Sequence, residues 1–235
     1  MKVKIAKIKN IVYEKDNYIN TNYTGLAKFI YYFNHKLLEF GFSKKIYNKH
    51  IIEIGGGAQP HIHYMDLKYV ESYTIVDSPK YKSNLKDLKK KYKSVQFYFL
   101  DYKKKIKKKN YSRLIASHTL EHINEFEIAF INLIKCLNFK SMISIALPCD
   151  PGITWRMLQF IYYFKQKKFY GWKNMKEKDL SHARDHCTPV QNITKILNYY
   201  FSKSKKYYFP LLIPSINLNI FLIIQINLKD FISSS

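Results

Sequence analysis

From His50 onward, short apolar runs alternate with helix-compatible segments, and this alternation restricts the fold more than any other feature of the sequence. Five runs are predicted strands: 51–54, 73–76, 95–100, 113–116 and 142–147. Helices are predicted between them at 81–91 and 125–137, the second with an apolar stripe suited to burial. Alternation of this kind indicates βαβ units in a parallel sheet, with ligands bound at the carboxyl ends of the strands.

The flanking segments complete the prediction of one domain with an insertion. Residues 1–48 are expected to form an N-terminal helical cap that contains a helix at 24–42. Residues 150–187, after strand five, are too long for an ordinary connection and are predicted to be an irregular insertion on the substrate side. Thr188 is predicted to cap the next helix, with Pro189 at its first position. Two more strand candidates close the chain, 206–212 and 216–227.

The formal charge of +23 raises the question of a nucleic-acid partner, because a large positive field attracts polyanions. Only three of the 40 basic residues are arginines, however, whereas phosphate and base recognition favour the planar guanidinium group. The lysine excess accompanies many Ile, Asn and Tyr residues, a pattern typical of AT-rich coding. A small-molecule partner is therefore favoured over nucleic acid.

The sequence also bears on the cellular compartment. Residues 1–10 alternate Lys with Val and Ile and lack the apolar core of a secretory signal. The most apolar stretch, 211–226, is interrupted by Pro214 and two asparagines, so it is too short to span a hydrocarbon layer of about 30 Å. Three cysteines without paired spacing indicate neither a disulfide framework nor a zinc site. We expect a cytoplasmic protein without a membrane span.

A glycine-rich turn follows the first strand, in the sequence Glu53-Ile-Gly-Gly-Gly-Ala. Glycines let the backbone pass close to a ligand, although such a turn alone is shared by several classes of protein. The second strand ends at Asp77, about 20 residues further on, where an acid can accept hydrogen bonds from both ribose hydroxyls. The third strand ends at Asp101, followed by Tyr102, and the fourth runs into His118-Thr-Leu-Glu-His.

Together these motifs resemble class I S-adenosylmethionine-dependent methyltransferases of the small-molecule type, and the match covers residues 50–150. The shared elements are E-x-G-x-G, the acidic end of strand two, the Asp-aromatic pair and H-x-L-E-H. The family's commonest third glycine is replaced here by Gln59, followed by Pro60. Because Pro60 stands three residues after Gly57, the loop also departs from the G-x-G-x-x-G of dinucleotide-binding dehydrogenases.

The resemblance implies a Rossmann-like α/β fold whose sheet is mostly parallel, with an antiparallel final strand and helices on both faces. It implies S-adenosylmethionine as methyl donor and S-adenosylhomocysteine as product. Glu53 would steady the loop and the amino-acid portion of the donor, Asp77 would hold the ribose and Asp101 the adenine. The donor-binding residues carried over are Glu53, Gly55, Gly56, Gly57, Asp77, Ser78, Asp101, Tyr102 and His118.

Transfer to a hydroxyl also needs a base near the donor, and the candidates are His182, His186 and His122. His182 and His186 are four residues apart, as are His118 and His122, a spacing that suits a metal face on a helix. Neither pair is clearly helical at both positions, so we predict no metal ion.

Two arginines in the inserted section are candidate acceptor-binding residues. Arg184 lies within the segment that carries two of the eight histidines, and Arg156 precedes it. A guanidinium group retained in a lysine-rich chain suggests bidentate binding of an acidic or phosphorylated acceptor. The alternative is a structural Arg184 that pairs with Asp185 and fixes the loop.

The leading hypothesis is O-methylation of a small polar acceptor that is sugar-, nucleotide- or phosphate-linked, as in surface-glycan tailoring. An RNA methyltransferase and a non-catalytic donor-binding partner subunit are the alternatives. The N-P-P-Y motif of amino-group methyltransferases is absent. Pro148-Cys149 follows strand five rather than strand four, so we interpret Cys149 as a small buried side chain and not as the nucleophile of a cytosine C5-methylase.

Overall fold

The computed structural model describes residues 19–20, 22–101, 103, 106 and 110–232, and the structural statements below concern these residues. The first 18 residues of the predicted helical cap lie outside the described residues, as does Tyr102.

Seven strands form one sheet. They are β1 (His50–Ile54), β2 (Ser72–Asp77), β3 (Gln96–Asp101), β4 (Tyr111–Ser117), β5 (Leu137–Pro148), β6 (Lys205–Phe209) and β7 (Phe221–Asn227). Their order is β3-β2-β1-β4-β5-β7-β6, with β1 to β5 parallel and β7 antiparallel to both β5 and β6. The predicted parallel sheet with an antiparallel final strand is confirmed, although the last two strands are shorter than the sequence suggested.

Helices cover both faces of the sheet. They are α1 (Leu26–Leu38), α2 (Lys44–Tyr47), α3 (Leu85–Lys91), α4 (Phe126–Ile134), α5 (Ile153–Tyr170), α6 (Met175–Asp185), α7 (Val190–Tyr200) and α8 (Lys229–Ile232). One core cluster packs Phe130 of α4 and Ile193 of α7 against the sheet. A second cluster contains Leu38 of α1 and Leu88 of α3. Because β1, the inner part of β4 and the second half of β5 are buried between these layers, their sequences are mostly apolar there.

The section 150–187 is helical, so its prediction as irregular structure was wrong. Gly171 ends α5 in a left-handed conformation with φ of 69°, and Asn174 caps α6 by accepting a hydrogen bond from the Glu177 backbone N–H at 3.0 Å. Both residues are ordinary boundary signals. The apolar periodicity that would have supported them is weak, because α6 is mostly polar.

The start of α7 also differs from the prediction. Pro189, not Thr188, occupies the N-cap position. The Thr188 hydroxyl instead donates a hydrogen bond to the Ile123 carbonyl at 2.9 Å, which ties the beginning of α7 to the segment after β4. The predicted helix at 81–91 begins as a 3₁₀ turn, Pro79–Asn84, before α3.

In the described part of the chain, no helix combines the length and apolarity that crossing a membrane requires.

Candidate functional site

The glycine turn after β1 is shaped by contacts within the protein. Gly55 has a φ of 80°, and a Cβ atom added there would lie 2.1 Å from the Thr119 hydroxyl oxygen. A Cβ atom at Gly57 would lie 2.6 Å from the Tyr81 side chain. Both positions therefore require glycine before any ligand is considered, because a larger residue would displace the segments that follow β2 and β4.

Asp77, at the carboxyl end of β2, is held in one orientation by the backbone. Its Oδ2 accepts a hydrogen bond from the Gly57 N–H at 2.7 Å, and its Oδ1 accepts one from the Ser78 N–H at 2.6 Å. Burial raises the pKa of Asp77, and these backbone hydrogen bonds oppose the shift. Asp101 pairs in register with Asp77 on the neighbouring β3, and it accepts a hydrogen bond from the Lys103 N–H at 3.0 Å.

Glu53 connects β1 to the 3₁₀ turn His61–Tyr64. Its carboxylate accepts hydrogen bonds from the Tyr73 hydroxyl at 2.7 Å and from the His61 backbone N–H at 3.0 Å. Burial raises the pKa of Glu53 to about 8, against the opposing effect of these hydrogen bonds. A Cβ atom at Gly56 would lie 2.1 Å from Glu53 Oε2, so this glycine leaves room for the carboxylate.

These residues surround a cavity of about 470 Å³, which we call the donor cleft. Its volume is within the range of about 300 to 1,000 Å³ that is usual for small-molecule sites. Five predicted donor-binding residues line it: Glu53, Gly55, Asp77, Ser78 and His118. Gly56, Gly57 and Asp101 lie outside its lining, the two glycines within the turn and Asp101 at the end of the adjacent strand.

His118 lies where the donor cleft meets a second cavity. Its backbone has a φ of 51°, unusual for a residue other than glycine, and its ring packs edge-on against Tyr31 and Phe221. Burial lowers the pKa of His118 to about 3, so its ring is neutral near pH 7. The ring Nδ1 lies 3.8 Å from Glu121 Oε1.

The second cavity, of about 80 Å³, we call the inner chamber. Its lining includes His118, Glu121, His122, Trp155, Gln159 and His186. It shares His118 and His122 with the donor cleft. Beyond it is a larger outer pocket, of about 590 Å³, whose lining includes Asp150, Arg156, Lys178, His182 and His186. The donor cleft and the inner chamber therefore meet at His118 and His122, after β4.

α6 brings two of the predicted bases to this junction. His182 is in its last turn and His186 is its C-cap residue, so the two rings lie one helical turn apart with their centroids separated by 4.1 Å. The His186 Nδ1 donates a hydrogen bond to Asp150 Oδ2 at 2.8 Å, and the His182 Nδ1 lies 3.6 Å from the same oxygen. Burial, together with the nearby His186, lowers the pKa of His182 to about 3.

Asp150 has an environment that favours its charged form. Burial acts to raise its pKa, but the hydrogen bond and charge of His186 hold the pKa below its ordinary value. His186 and Asp150 therefore form a dyad in which a carboxylate orients an imidazole ring.

His122, the third predicted base, is in a different state. Its Nδ1 donates a hydrogen bond to the Asp185 carbonyl at 3.0 Å and lies 3.3 Å from the Asp185 carboxylate. Burial opposes protonation, but the hydrogen bond to Asp185 and the charge of Glu121 raise the pKa of His122 to about 9. At neutral pH this ring already carries its proton.

The two predicted acceptor-binding arginines are placed differently. Arg156, on α5, lines the outer pocket together with Asp150 and His186. Arg184 is exposed on α6 and lines neither the outer pocket nor the inner chamber. The structure therefore brings Arg156, but not Arg184, to the cavities beside the donor cleft.

The histidine cluster also has the composition of a metal site. Among the described residues, two sets place their ligand atoms within 4.8 Å of one another: Glu121, His122 and His186, and Asp150, His182 and His186. In the structure His186 donates a hydrogen bond to Asp150, whereas His182 lies 3.6 Å from Asp150 and His122 lies 4.0 Å from Glu121. The absence of a metal ion remains a prediction.

Sequence analysis missed Asp150, Glu121, Trp155 and Gln159. A signal existed for Asp150, because it directly follows a parallel strand, at the edge where ligands bind in α/β sheets. Glu121 is the acid of the H-x-L-E-H motif. Cys149 is fully buried, and burial raises the pKa of its thiol to about 12, which confirms its interpretation as a small core residue.

The sequence matches no protein-family model and no curated protein sequence. Solved structures do match. The plantazolicin methyltransferase BpumL, in complex with a triazolic desmethylPZN analog and SAH, aligns with a TM-score of 0.59 and 13% identity over 91% of this chain and 90% of that one. The N-methyltransferase NodS from Bradyrhizobium japonicum WM9, in complex with S-adenosyl-L-homocysteine, aligns with a TM-score of 0.52 and 10% identity over 82% and 84%.

The CurJ carbon methyltransferase aligns with a TM-score of 0.57 and 14% identity over 90% of this chain. This chain spans 57% of the CurJ chain, little more than half of its length. Each of these structures aligns with more than four fifths of this chain. The chain therefore has the fold of the class I S-adenosylmethionine-dependent methyltransferases, as its motifs predict.

Proposed function

We propose that this protein transfers the methyl group of S-adenosylmethionine to a hydroxyl group of a small polar acceptor. The fold supports the class of reaction, and the donor cleft supports the donor. Glu53 and Asp77 hold fixed carboxyl groups in a cavity of suitable size, beside a glycine turn whose backbone a ligand can approach. Glu53 would face the amino-acid portion of the donor and Asp77 its ribose.

The observation that carries the proposal is the His186–Asp150 dyad, which lies beside the cavity that adjoins the donor cleft. The bound donor supplies an electrophilic methyl group on a sulfonium sulfur. A hydroxyl acceptor must lose its proton as the new C–O bond forms and the S–C bond breaks. Asp150 accepts a hydrogen bond from the Nδ1–H of His186, and this leaves Nε2 of His186 to take the acceptor's proton.

The other predicted bases suit this step less well. His122 has a pKa raised to about 9 and is protonated at neutral pH, so it cannot accept a further proton. His182 has a pKa lowered to about 3, which makes it a weak base. We assign His122 the role of a cation beside the donor cleft and His182 that of a neighbour that packs against His186. Arg156 would contact an acidic or phosphate group of the acceptor in the outer pocket.

The test compares His186→Asn and Asp150→Asn with the wild type. Formation of S-adenosylhomocysteine is measured with a panel of hydroxylated, phosphorylated and glycosylated small molecules. A base contributes typically about 10²- to 10⁴-fold, so His186→Asn should lower kcat by this factor. The affinity for S-adenosylhomocysteine, measured by calorimetry, should change by less than about twofold, or 0.4 kcal/mol. Wild-type turnover by His186→Asn would reject the dyad as the base.

A donor-binding protein that turns over none of these acceptors would instead favour the non-catalytic partner subunit.

A further inference from the structure

The inner chamber has a chemical character that differs from that of the donor cleft. It lies between the H-x-L-E-H segment after β4 and the helices α5 and α6, and Trp172 between those helices completes its wall. It shares Glu121, Trp155 and Gln159 with the outer pocket. A molecule that enters through the outer pocket therefore reaches the chamber before it reaches the donor cleft.

Six buried polar atoms from residues that line this chamber have no hydrogen-bond partner within the part of the chain that the structure describes. They are His118 Nε2, Glu121 Oε2, Trp155 Nε1, Gln159 Oε1, Gln166 Oε1 and Trp172 Nε1. Three of these side chains belong to residues that are almost inaccessible, with exposed fractions of 3% for Glu121, 6% for Trp155 and 2% for Trp172. Buried polar groups are nearly always paired in folded proteins, so a group of unpaired atoms around one cavity points to a ligand that pairs them.

The identity of these atoms restricts the ligand. The two indole N–H groups can only donate hydrogen bonds, whereas the Glu121 and glutamine oxygens can accept them. A hydroxyl group does both, so several hydroxyls on one molecule can satisfy donors and acceptors together. A phosphate group carries acceptors that would face the Glu121 carboxylate and the two amide oxygens. An apolar group would satisfy none of the six atoms.

The size of the chamber agrees with this chemistry. About 80 Å³ admits the hydroxyl-bearing end of a molecule rather than a whole metabolite, and the outer pocket of about 590 Å³ can hold the remainder. Arg156 and Lys178 line the outer pocket, so a charged part of the same molecule would remain there. His186, which lines both cavities, is near the end that enters the chamber.

We propose that the inner chamber is the acceptor subsite for the hydroxyl-bearing edge of an uncharged, polyhydroxylated group such as a glycosyl ring, selected by Trp155, Gln159, Gln166 and Trp172. This assignment rests on the proposed function, since it names the part of the acceptor that is brought to the donor. The four residues act as specificity residues, because hydroxyl groups in the chamber give their polar atoms partners that an apolar group cannot give.

The experiment uses the full chain loaded with S-adenosylhomocysteine. Methyl glycosides of hexoses and 6-deoxyhexoses are the probes, with inorganic phosphate and cyclohexanol for comparison, and binding is measured by saturation-transfer NMR and thermal shift. At least one glycoside should bind and raise the Tm. Cyclohexanol and phosphate at equal concentration should give no NMR or Tm signal that changes when the chamber residues are replaced. The proposal would be overturned if phosphate or cyclohexanol bound in a way that depends on the chamber residues while no glycoside bound.

Two variants locate the binding. Gln166→Leu and Trp172→Phe remove one unpaired polar atom each and keep much of the side-chain volume. Glycoside affinity should fall at least about tenfold, or 1.4 kcal/mol. The Tm of Gln166→Leu without glycoside should stay equal or rise, because an unpaired buried group has been removed. The Tm of Trp172→Phe should fall slightly, because this variant also removes buried ring volume. Gln191→Leu on α7, outside the chamber lining, is the matched control and should bind glycosides like the wild type.

The outcomes separate the two proposals. Glycoside binding that is equal in both variants and the wild type would place the ligand elsewhere and reject the subsite. If S-adenosylhomocysteine binds but no glycoside does, the chamber holds only water and the subsite assignment fails while the donor assignment stands. Failure to bind S-adenosylhomocysteine would reject the proposed function itself.

Discussion

Arg113 shows that an arginine can have a structural role that the sequence alone does not reveal. It is one of only three arginines, and it is fully buried on β4. Its guanidinium group donates hydrogen bonds to Glu39 Oε1, to the Leu38 carbonyl at 2.7 Å and to the Ser144 hydroxyl at 2.9 Å. A scarce arginine suggested ligand binding in the acceptor region, but here the same geometry joins α1 to the sheet.

The Glu39–Arg113 pair gives a prediction for stability. Burial acts to raise the pKa of Glu39, but the charge of Arg113 and the hydrogen bond from His61 hold it well below its ordinary value. Glu39→Gln should lower the free energy of unfolding by about 3 to 5 kcal/mol, because it leaves a buried guanidinium group without its counter-charge. Urea denaturation at pH 7 measures the change.

The same pair has a defined pH dependence. Because the pKa of Glu39 is lower in the folded protein than the ordinary 4.5, its stabilisation is complete above pH 4.5 and is lost as the pH falls further. The control is Glu71→Gln, which removes the exposed ion pair with Lys49 at 3.2 Å and should cost less than about 1 kcal/mol. If Glu39→Gln and Glu71→Gln lowered the free energy of unfolding equally, burial would not explain the larger cost expected for Glu39→Gln.

At the residue scale, much of the lining of the donor cleft could be predicted, and that of the inner chamber only in part. Asp77 and Glu53 stand at strand ends, and a strand end is visible in the sequence because the apolar run stops there. Gln159, Gln166 and Trp172 carry no such signal. They meet because two helices fold over the sheet, and their polar atoms become informative only once burial shows that they lack partners.

Among the elements, strands were easier to predict than helices. β1, β2 and β4 are buried on both faces, so the core selects apolar residues at most of their inner positions. α5 instead leaves Met157, Ile161 and Phe164 more than half exposed. Its apolar residues therefore do not mark a single buried stripe, and the periodicity that identifies an amphipathic helix is lost.

The turn between β1 and the following 3₁₀ segment gives a prediction at this scale. Gly55→Ala places a methyl group into the Thr119 side chain at a positive φ, so strain and overlap add. We expect a loss of about 2 kcal/mol or more in stability from these two effects. The affinity for S-adenosylhomocysteine should fall at least about tenfold, because the turn lines the donor cleft. Urea denaturation and calorimetry measure the two quantities.

Gly25→Ala is the matched control for that variant. Gly25 also has a positive φ, of 59°, but an added Cβ atom would lie within 4 Å of no described atom. With a ψ of −144°, its cost should be limited to backbone strain of about 1 to 3 kcal/mol, and donor affinity should be unchanged. If both variants lost donor affinity equally, the contact with Thr119 would not explain the role of Gly55.

For the whole molecule, the parallel sheet is predicted by the alternation of strands and helices along the chain. The inner chamber and the outer pocket are not predicted by it. The donor cleft is built mainly from strand ends between Glu53 and Thr119, in sequence order. The inner chamber and outer pocket need α5 and α6, which lie beyond β5 and pack over that edge of the sheet. Local sequence patterns therefore predict the residues of the donor cleft. The residues of the inner chamber and outer pocket come together only in the folded structure.

Net charge is the remaining property of the whole molecule, and it tests the RNA methyltransferase alternative. The formal charge is +23, yet Arg113 is fully buried, so only two arginines can contact a polyanion. Dispersed lysines attract a nucleic acid through counterion release. The logarithm of the binding constant then falls linearly with the logarithm of the salt concentration, with a slope of about −0.7 for each phosphate contacted on a single strand. We expect RNA binding to be detectable at low salt, equal for DNA of the same sequence, and lost near physiological ionic strength. Filter binding at a series of salt concentrations measures this. RNA would be favoured as the acceptor if sub-micromolar RNA binding persisted at physiological salt and methyl groups were incorporated into the RNA.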